Sequence, residues 1–273
     1  MSISIIGLGF VGNAMFESFK LKNINGIILY DKYKNGGIGL LESCLTAQLI
    51  FLALPTQYNY NLGEYDKSAI YKTCDYLTDN NYNGVLIIKS TVEPETTIRL
   101  SEKYEKLHFI HNPEFLTART AFEDFHNQKH IVLGQGPTCP DEKLNVVKDF
   151  YTKYYPDAVI SVCTSLESES MKIFCNSFYA VKIQFFTELY LLCQKNGCKF
   201  SNVKSMMLKN NWINPMHTNI PGSDGLVSYG GLCFPKDTMA LDSYMKKMNT
   251  PNAVLNNTIS ERDELRKDKD NCN

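Results

Sequence analysis

The chain has 273 residues, 44% of them hydrophobic and 21% charged, with a formal net charge of -1. That length fits one large or two modest domains with a sizeable core, and the near-neutral balance argues against a partner gripped through nucleic-acid phosphates. No apolar run is long enough to span a membrane, and the opening run Ile3–Ile6 ends in glycines without the basic leader of a signal peptide.

In chain order, Ser2–Ile6 reads as a buried strand and Val11–Lys20 as a helix. Ile27–Tyr30, Leu49–Leu54, Val85–Ile88, Phe109–Ile110, Ile131–Leu133 and Val159–Val162 are further apolar runs of strand length. Helical stretches near Lys67–Leu77, Glu95–Glu105 and Lys143–Tyr154 lie between them. This alternation predicts an α/β fold with a parallel, doubly wound sheet.

The pattern changes after Thr164. Thr164 and Glu167 have capping-box spacing. Met171, Phe174, Phe178, Val181, Phe185, Leu189 and Leu192 then recur at helical intervals, and Gly197 is a fitting stop. One long helix is predicted, the spine of a smaller all-helical domain, with its apolar stripe as a core face. Asn214–Gly231 reads as a loop, Leu241–Met248 as a helix, and the charged tail Ser260–Asn273 as fraying. The expected division is residues 1–163 and 164–273. The nine cysteines include no C-x-x-C pair, which with no export signal predicts reduced thiols and a cytoplasmic protein.

Gly7-Leu8-Gly9-Phe10-Val11-Gly12 follows a strand pattern and opens a helix pattern, the setting that gives a G-x-G-x-x-G run its meaning as a dinucleotide fingerprint. Asp31 ends the next strand, where a carboxylate accepts from ribose hydroxyls and repels a 2′-phosphate. NAD is therefore favoured over NADP, although Lys32 stands beside it. Near the other end, Cys233 follows Gly230-Gly231 and precedes Lys236 and Asp237. A cysteine in such a loop can attack a carbonyl. Asp237, one helical turn on, suits holding a lysine or a water better than activating the sulfur. Lys172 and Asn176, four apart, form a rigid pair of donors for a developing oxyanion, or else a solvated lysine and asparagine. Glu114, after Pro113 at a strand end, is placed to act as a general base, or is a plain loop carboxylate. Ser90-Thr91 ends another strand. Nothing has metal-ligand spacing.

These segments, in this order, resemble the UDP-glucose/GDP-mannose dehydrogenase family. The resemblance is carried by Gly7–Gly12, Leu54-Pro55-Thr56, Ser90-Thr91-Val92, Asn112–Leu116, Lys172 through Asn176, and Gly230–Asp237. It implies a Rossmann-like domain followed by a helical one, NAD as cofactor, and a two-step oxidation of a sugar primary alcohol to a carboxylate. The first expectation is UDP-glucose to UDP-glucuronate, a step toward polysaccharides. By motif position, Cys233 would be the nucleophile that carries a thiohemiacetal and then a thioester. Lys172 and Asn176 would stabilise the oxyanion, Asp237 and Thr91 would position water or move protons, and Glu114 would be the base in hydrolysis. Phe115, Leu116, Tyr229 and Gly230 would line the nucleotide-sugar pocket with Glu114, Lys172, Asn176 and Cys233. Pro55, Thr56, Ser90, Thr91 and Lys236 would join Gly7, Gly9, Phe10, Val11, Gly12, Asp31 and Lys32 around NAD. A homodimer is the expected assembly.

Three departures stand out. Ala118 and Arg119 occupy places where the family usually has a glutamate and a glycine. No arginine lies between Arg119 and Arg262 to supply the sugar contact the family makes from a neighbouring subunit. The resemblance also implies a short form, without the family's C-terminal UDP-binding domain. GDP-mannose or another nucleotide sugar is the alternative substrate. A β-hydroxyacid dehydrogenase, which needs no cysteine, and a catalytically impaired NAD-binding protein are the alternative functions.

Overall fold

The computed structural model describes residues 1–266. In chain order the elements are β1 (Ile3–Ile6), α1 (Phe10–Leu21), β2 (Ile27–Tyr30), β3 (Leu49–Leu52), β4 (Tyr58–Asn59), β5 (Glu64–Tyr65), α2 (Ser68–Asp79), β6 (Val85–Ile88), α3 (Thr96–Lys103), β7 (His108–His111), α4 (Ala121–His126), β8 (His130–Gln135), α5 (Asp141–Tyr154), β9 (Val159–Thr164), α6 (Ser165–Asn196), α7 (Phe200–Leu208), α8 (Phe234–Lys247) and α9 (Ala253–Leu265). They fall into two compact units, Met1–Gln57 with Tyr65–Lys172, and Tyr58–Glu64 with Ile173–Asn273.

The first unit is built on a seven-stranded sheet of order β2-β1-β3-β6-β7-β8-β9. Its strands run parallel except where β8 lies antiparallel to β7, pairing Ile110 with Gln135 and His111 with Gly134. The expected parallel, doubly wound sheet is thus present, with a single antiparallel junction between β7 and β8.

Strand residues alternate between two cores because successive side chains point to opposite faces. Ile3, Ile5, Leu49, Phe51, Val85 and Ile87 join Met15 and Phe19 of α1 and Val147 and Phe150 of α5. Ile6, Ile50, Leu52, Leu86 and Ile88 join Ile70 and Leu77 of α2 and Leu100 of α3. With both faces covered, the central strands β3 and β6 read as unbroken apolar runs, as their sequences do. Phe19 anchors the first face, meeting Phe51, Phe125 and Phe150 edge-on at 5.4–5.9 Å. Each such buried ring contributes about 1.5–3 kcal/mol.

The 32-residue helix α6 starts and stops as its sequence dictates. Glu167 accepts from the Thr164 backbone N–H and hydroxyl at 2.8 Å each, and the Glu167 N–H donates to Thr164 Oγ1 at 3.3 Å. Gly197 follows the last turn at φ +79°. The core-face expectation for its stripe is overturned. Phe174, Phe178, Phe185 and Leu192 are 52–63% exposed, while Ile173, Ser177, Ala180, Gln184 and Thr187 are buried. Periodicity finds the stripe but cannot tell a core face from an exposed one.

In the second unit, Tyr58 Oη and Ser243 Oγ, 2.8 Å apart, tie the segment 58–64 to α8. Helix α8 begins at Phe234, a turn and more before the expected start at Leu241. The tail does not fray throughout: α9 runs to Leu265, and Arg262 and Arg266 are buried. The rest of the tail, with Cys272, lies outside the described residues. Among the described residues no helix is long and apolar enough to cross a membrane.

Candidate active site

In the first unit, β2 and β3 flank β1 on opposite sides. The chain therefore leaves β1 where the strand order reverses, the place where open α/β sheets bind ligands. The fingerprint glycines sit there and differ in what they avoid. Gly7 has φ +91°, and a Cβ on it would overlap the Ala53 carbonyl. A Cβ on Gly12 would overlap the Gly7 carbonyl. Around Gly9 a Cβ would meet nothing within 4 Å. The protein's own packing demands the outer two, whereas Gly9 leaves room for something to approach. Helix α1 starts at the next residue, Phe10, which is exposed beside half-buried Val11. Its unpaired N–H groups and positive dipole end suit a pyrophosphate.

Asp31 fixes this loop. Its carboxylate accepts from the Leu8 N–H at 2.7 Å, the Tyr33 N–H at 2.9 Å and the Lys34 N–H at 2.8 Å. Burial pushes its pKa up, but these backbone bonds, with the Lys34 ammonium, hold it below the ordinary carboxylate value. Three bonds on two oxygens leave acceptor capacity for a ribose hydroxyl. Lys34, which the sequence pattern did not single out, donates to the Leu8 carbonyl at 2.6 Å. Lys32 lies instead over the Tyr33 ring at 5.2 Å. These residues fit NAD.

Further along the strand ends, Thr56 Oγ1 donates to the Thr91 carbonyl at 2.7 Å and Ser90 Oγ to the Leu54 carbonyl at 2.6 Å. These bonds join the Leu54-Pro55-Thr56 and Ser90-Thr91 turns. Glu114 meets Lys172: the ammonium is 2.6 Å from the Glu114 carbonyl and 3.3 Å from Oε1. Lys172 is buried, so its charge needs these partners. It also lies over the Phe115 ring at 5.4 Å, and Phe115 stacks on His130 at 6.0 Å. The Leu116 N–H donates to Glu114 Oε2 at 2.5 Å, so the Glu114–Leu116 segment folds back on itself. An open cleft of about 460 Å³ adjoins these residues and is lined by Glu114, Phe115, Leu116 and the 123–130 segment.

Beneath them lies Lys89, unnoticed in the sequence although a lysine closing an apolar strand is itself a signal. Its ammonium donates to Asn112 Oδ1 at 2.9 Å. Burial is the main cause that pushes its pKa down to about 7, opposed by Glu114 and aided by Lys172. Burial likewise pushes His111 down to about 3, with Lys89 and Lys172 contributing. Tyr151 donates to the same Asn112 oxygen at 2.5 Å, and Asn112 Nδ2 to the Val132 carbonyl at 2.7 Å.

In the second unit, Cys233 is an exposed thiol at the N-cap of α8. The Asp237 N–H donates to its carbonyl at 3.0 Å. A helix N-terminus suits negative charge on a nearby sulfur. Asp237 is fully buried and does hold a lysine: Lys236 Nζ lies 2.5 Å from Oδ1, and Asn176 Nδ2 donates to Oδ2 at 2.6 Å. Tyr229 is buried, with its hydroxyl 3.5 Å from Thr238 Oγ1. Gly231 has φ +77°, whereas Gly230 is constrained by contact, since a Cβ there would overlap the Arg266 guanidinium. A side chain at Gly230 is thus excluded by the protein's own packing.

Comparison with known proteins gives the family and the fold. The NAD-binding domain profile of the UDP-glucose/GDP-mannose dehydrogenase family matches residues 40–155, and its central-domain profile matches residues 166–262. A UDP-glucose 6-dehydrogenase of Campylobacter jejuni is 27% identical over 98% of this chain and 73% of its own length. One from Rickettsia bellii is 31% identical over 84% of this chain and 52% of its own. The chain thus spans between about half and three quarters of these relatives. A UDP-glucose dehydrogenase structure from Pyrobaculum islandicum shares the fold at a TM-score of 0.83, with 23% identity over 96% of this chain and 68% of that one. The chain belongs to the UDP-glucose/GDP-mannose dehydrogenase family of NAD-dependent oxidoreductases.

Proposed function

We propose that the chain oxidises the primary alcohol of a nucleotide sugar to a carboxylate, with UDP-glucose to UDP-glucuronate as the leading case. The observation that carries this reading is the exposed Cys233 thiol at a helix N-terminus, followed one turn on by a buried Asp237 bound to Asn176 and Lys236. Simple alcohol oxidation has no use for a thiol so placed. Oxidation through the aldehyde does, because the sulfur retains the aldehyde between two oxidations.

When bound, NAD supplies the hydride acceptor for each oxidation. The chain's own groups do the rest. Cys233 Sγ adds to the aldehyde carbon and forms a thiohemiacetal. After the second oxidation this becomes a thioester, and water cleaves it, returning the thiol and releasing the carboxylate. Glu114 takes the proton of that water. Lys172 and Asn176, one turn apart on α6, donate to the oxygen that gains charge at the addition and hydrolysis steps. Asp237 holds the Asn176 amide in place, and Thr91 helps to position water. Phe115, Leu116, Tyr229 and Gly230 shape the sugar side. Gly7, Gly9, Phe10, Val11, Gly12, Asp31, Lys32, Pro55, Thr56, Ser90, Thr91 and Lys236 hold the cofactor.

The assembly is a homodimer. Phe174, Phe178, Phe185 and Leu192 fall on one line of α6 and are more than half exposed. So large an apolar stripe on one helix suits burial against a second copy.

The test is a panel of nucleotide sugars with NADH counted per sugar. Two NADH per UDP-glucose, lost in Cys233→Ser, is expected. One NADH per substrate with Cys233→Ser fully active favours a hydroxyacid dehydrogenase. Calorimetric NAD binding without turnover of any sugar favours a non-catalytic protein.

A further inference from the structure

The loop that delivers Cys233 is held from behind by the end of α9. Arg262 Nε donates to the Tyr229 carbonyl at 3.3 Å, and its guanidinium lies over the Tyr229 ring at 5.9 Å. Arg266 Nη1 reaches the Val227 and Ser228 carbonyls at 3.3 and 3.4 Å, and Nη2 pairs with the Asp224 carboxylate. The Arg266 guanidinium also fills the space that a side chain on Gly230 would occupy. Both arginines are buried, at 6% and 5% exposure. A buried guanidinium is costly unless its donors are used; here both arginines donate to the 224–229 segment, and Arg262 Nη1 also donates to Asp263 at 2.9 Å.

That segment needs holding. Ser228 sits at φ +63° and Gly231 at φ +77°, so the chain passes twice through left-handed backbone within four residues. A non-glycine residue there persists only when its surroundings over-determine it. Ser228 is pinned from the other side as well, its N–H donating to Thr187 Oγ1 at 3.0 Å and its hydroxyl to Gln184 Oε1. Gln184 Nε2 in turn donates to Glu261 Oε2 at 2.6 Å, a neighbour of Arg262 on α9.

We propose that Arg262 and Arg266 are positioning residues for the nucleophile: α9 clamps residues 224–230 and so fixes where Cys233 enters α8. The proposal rests on the reading of Cys233 as the nucleophile. It gives the buried end of α9 a role in chemistry, and it makes Gly230 part of that clamp.

The experiment measures the alkylation rate of Cys233 by iodoacetamide across pH 6–9, read peptide by peptide by mass spectrometry. The parent, Arg266→Met, Arg266→Lys and Asp224→Ala are compared, with NAD binding by calorimetry as the control for an intact first unit. In Arg266→Met the Cys233 rate and its pH profile change by about 10-fold, and kcat with UDP-glucose falls about 100-fold, the scale of an ångström's misplacement. NAD affinity stays at the parent value. Arg266→Lys, which keeps the charge but not the fork, lies between. Should Arg266→Met fail to fold, Asp224→Ala decides, with a shift in the same direction of about 3-fold. Parental Cys233 alkylation in the folded variants overturns the clamp. The alkylation readout needs no turnover, so an absence of dehydrogenase activity in the parent would overturn the proposed function and leave this test standing.

Discussion

Asn176 donates its amide N–H to the buried carboxylate of Asp237 at 2.6 Å, joining α6 to the first turn of α8. With Lys236 on the other carboxylate oxygen, this fixes the turn that follows Cys233. The carboxylate therefore has a structural load as well as a place in the chemistry.

Replacing Asp237 by alanine leaves a buried amide donor and a lysine without their shared acceptor. Breaking a buried charged network in this way costs about 3 kcal/mol or more. Urea unfolding should show that loss, and NADH formation should fall to background. A variant with parental stability contradicts the network.

The fingerprint glycines should separate folding from binding. Gly12→Ala forces a methyl into the Gly7 carbonyl and should lower Tm, along with NAD affinity. Gly9→Val places its side chain in open space, so Tm should hold while NAD affinity measured by calorimetry drops at least about 10-fold. Equal NAD affinity in Gly9→Val and the parent removes the pyrophosphate from this loop.

Much of this was legible in the sequence. The apolar runs became strands because both sheet faces are covered, and Thr164, Glu167 and Gly197 marked the ends of α6 as cap chemistry requires. Asp31 and Asp237 declared themselves by position. What stayed hidden were partners distant in the chain. Nothing near Arg266 announces that it packs on Gly230, and a charged tail normally reads as solvated. The stripe on α6 was visible but its side was not, because helical periodicity is the same toward a core and toward solvent.

Glu169 offers a pH test. Burial is the main cause that raises its pKa to about 7, against bonds from the Thr97 hydroxyl and N–H. The folded form then keeps a proton that the unfolded chain loses near the ordinary glutamate value of 4.5. The stabilisation from this group is complete below that value and is lost as pH rises through about 7. Glu169→Gln should therefore gain stability relative to the parent between pH 4.5 and 8, by up to about 3 kcal/mol. A difference between the two that does not vary with pH rules out the raised pKa.

The exposed stripe predicts the assembly. Phe178→Glu with Phe185→Glu should convert a dimer into a folded monomer in sedimentation equilibrium, with the circular dichroism spectrum unchanged. A parent that sediments as a monomer at micromolar concentration contradicts the homodimer.

The most direct measurement is NADH stoichiometry with UDP-glucose, combined with mass spectrometry of Cys233 in a Glu114→Gln variant. Two NADH per sugar in the parent, and a covalent sugar adduct on Cys233 when hydrolysis is slowed, are predicted. One NADH per substrate, or an unmodified Cys233 in a variant that still turns over, would contradict an oxidation held together by that sulfur.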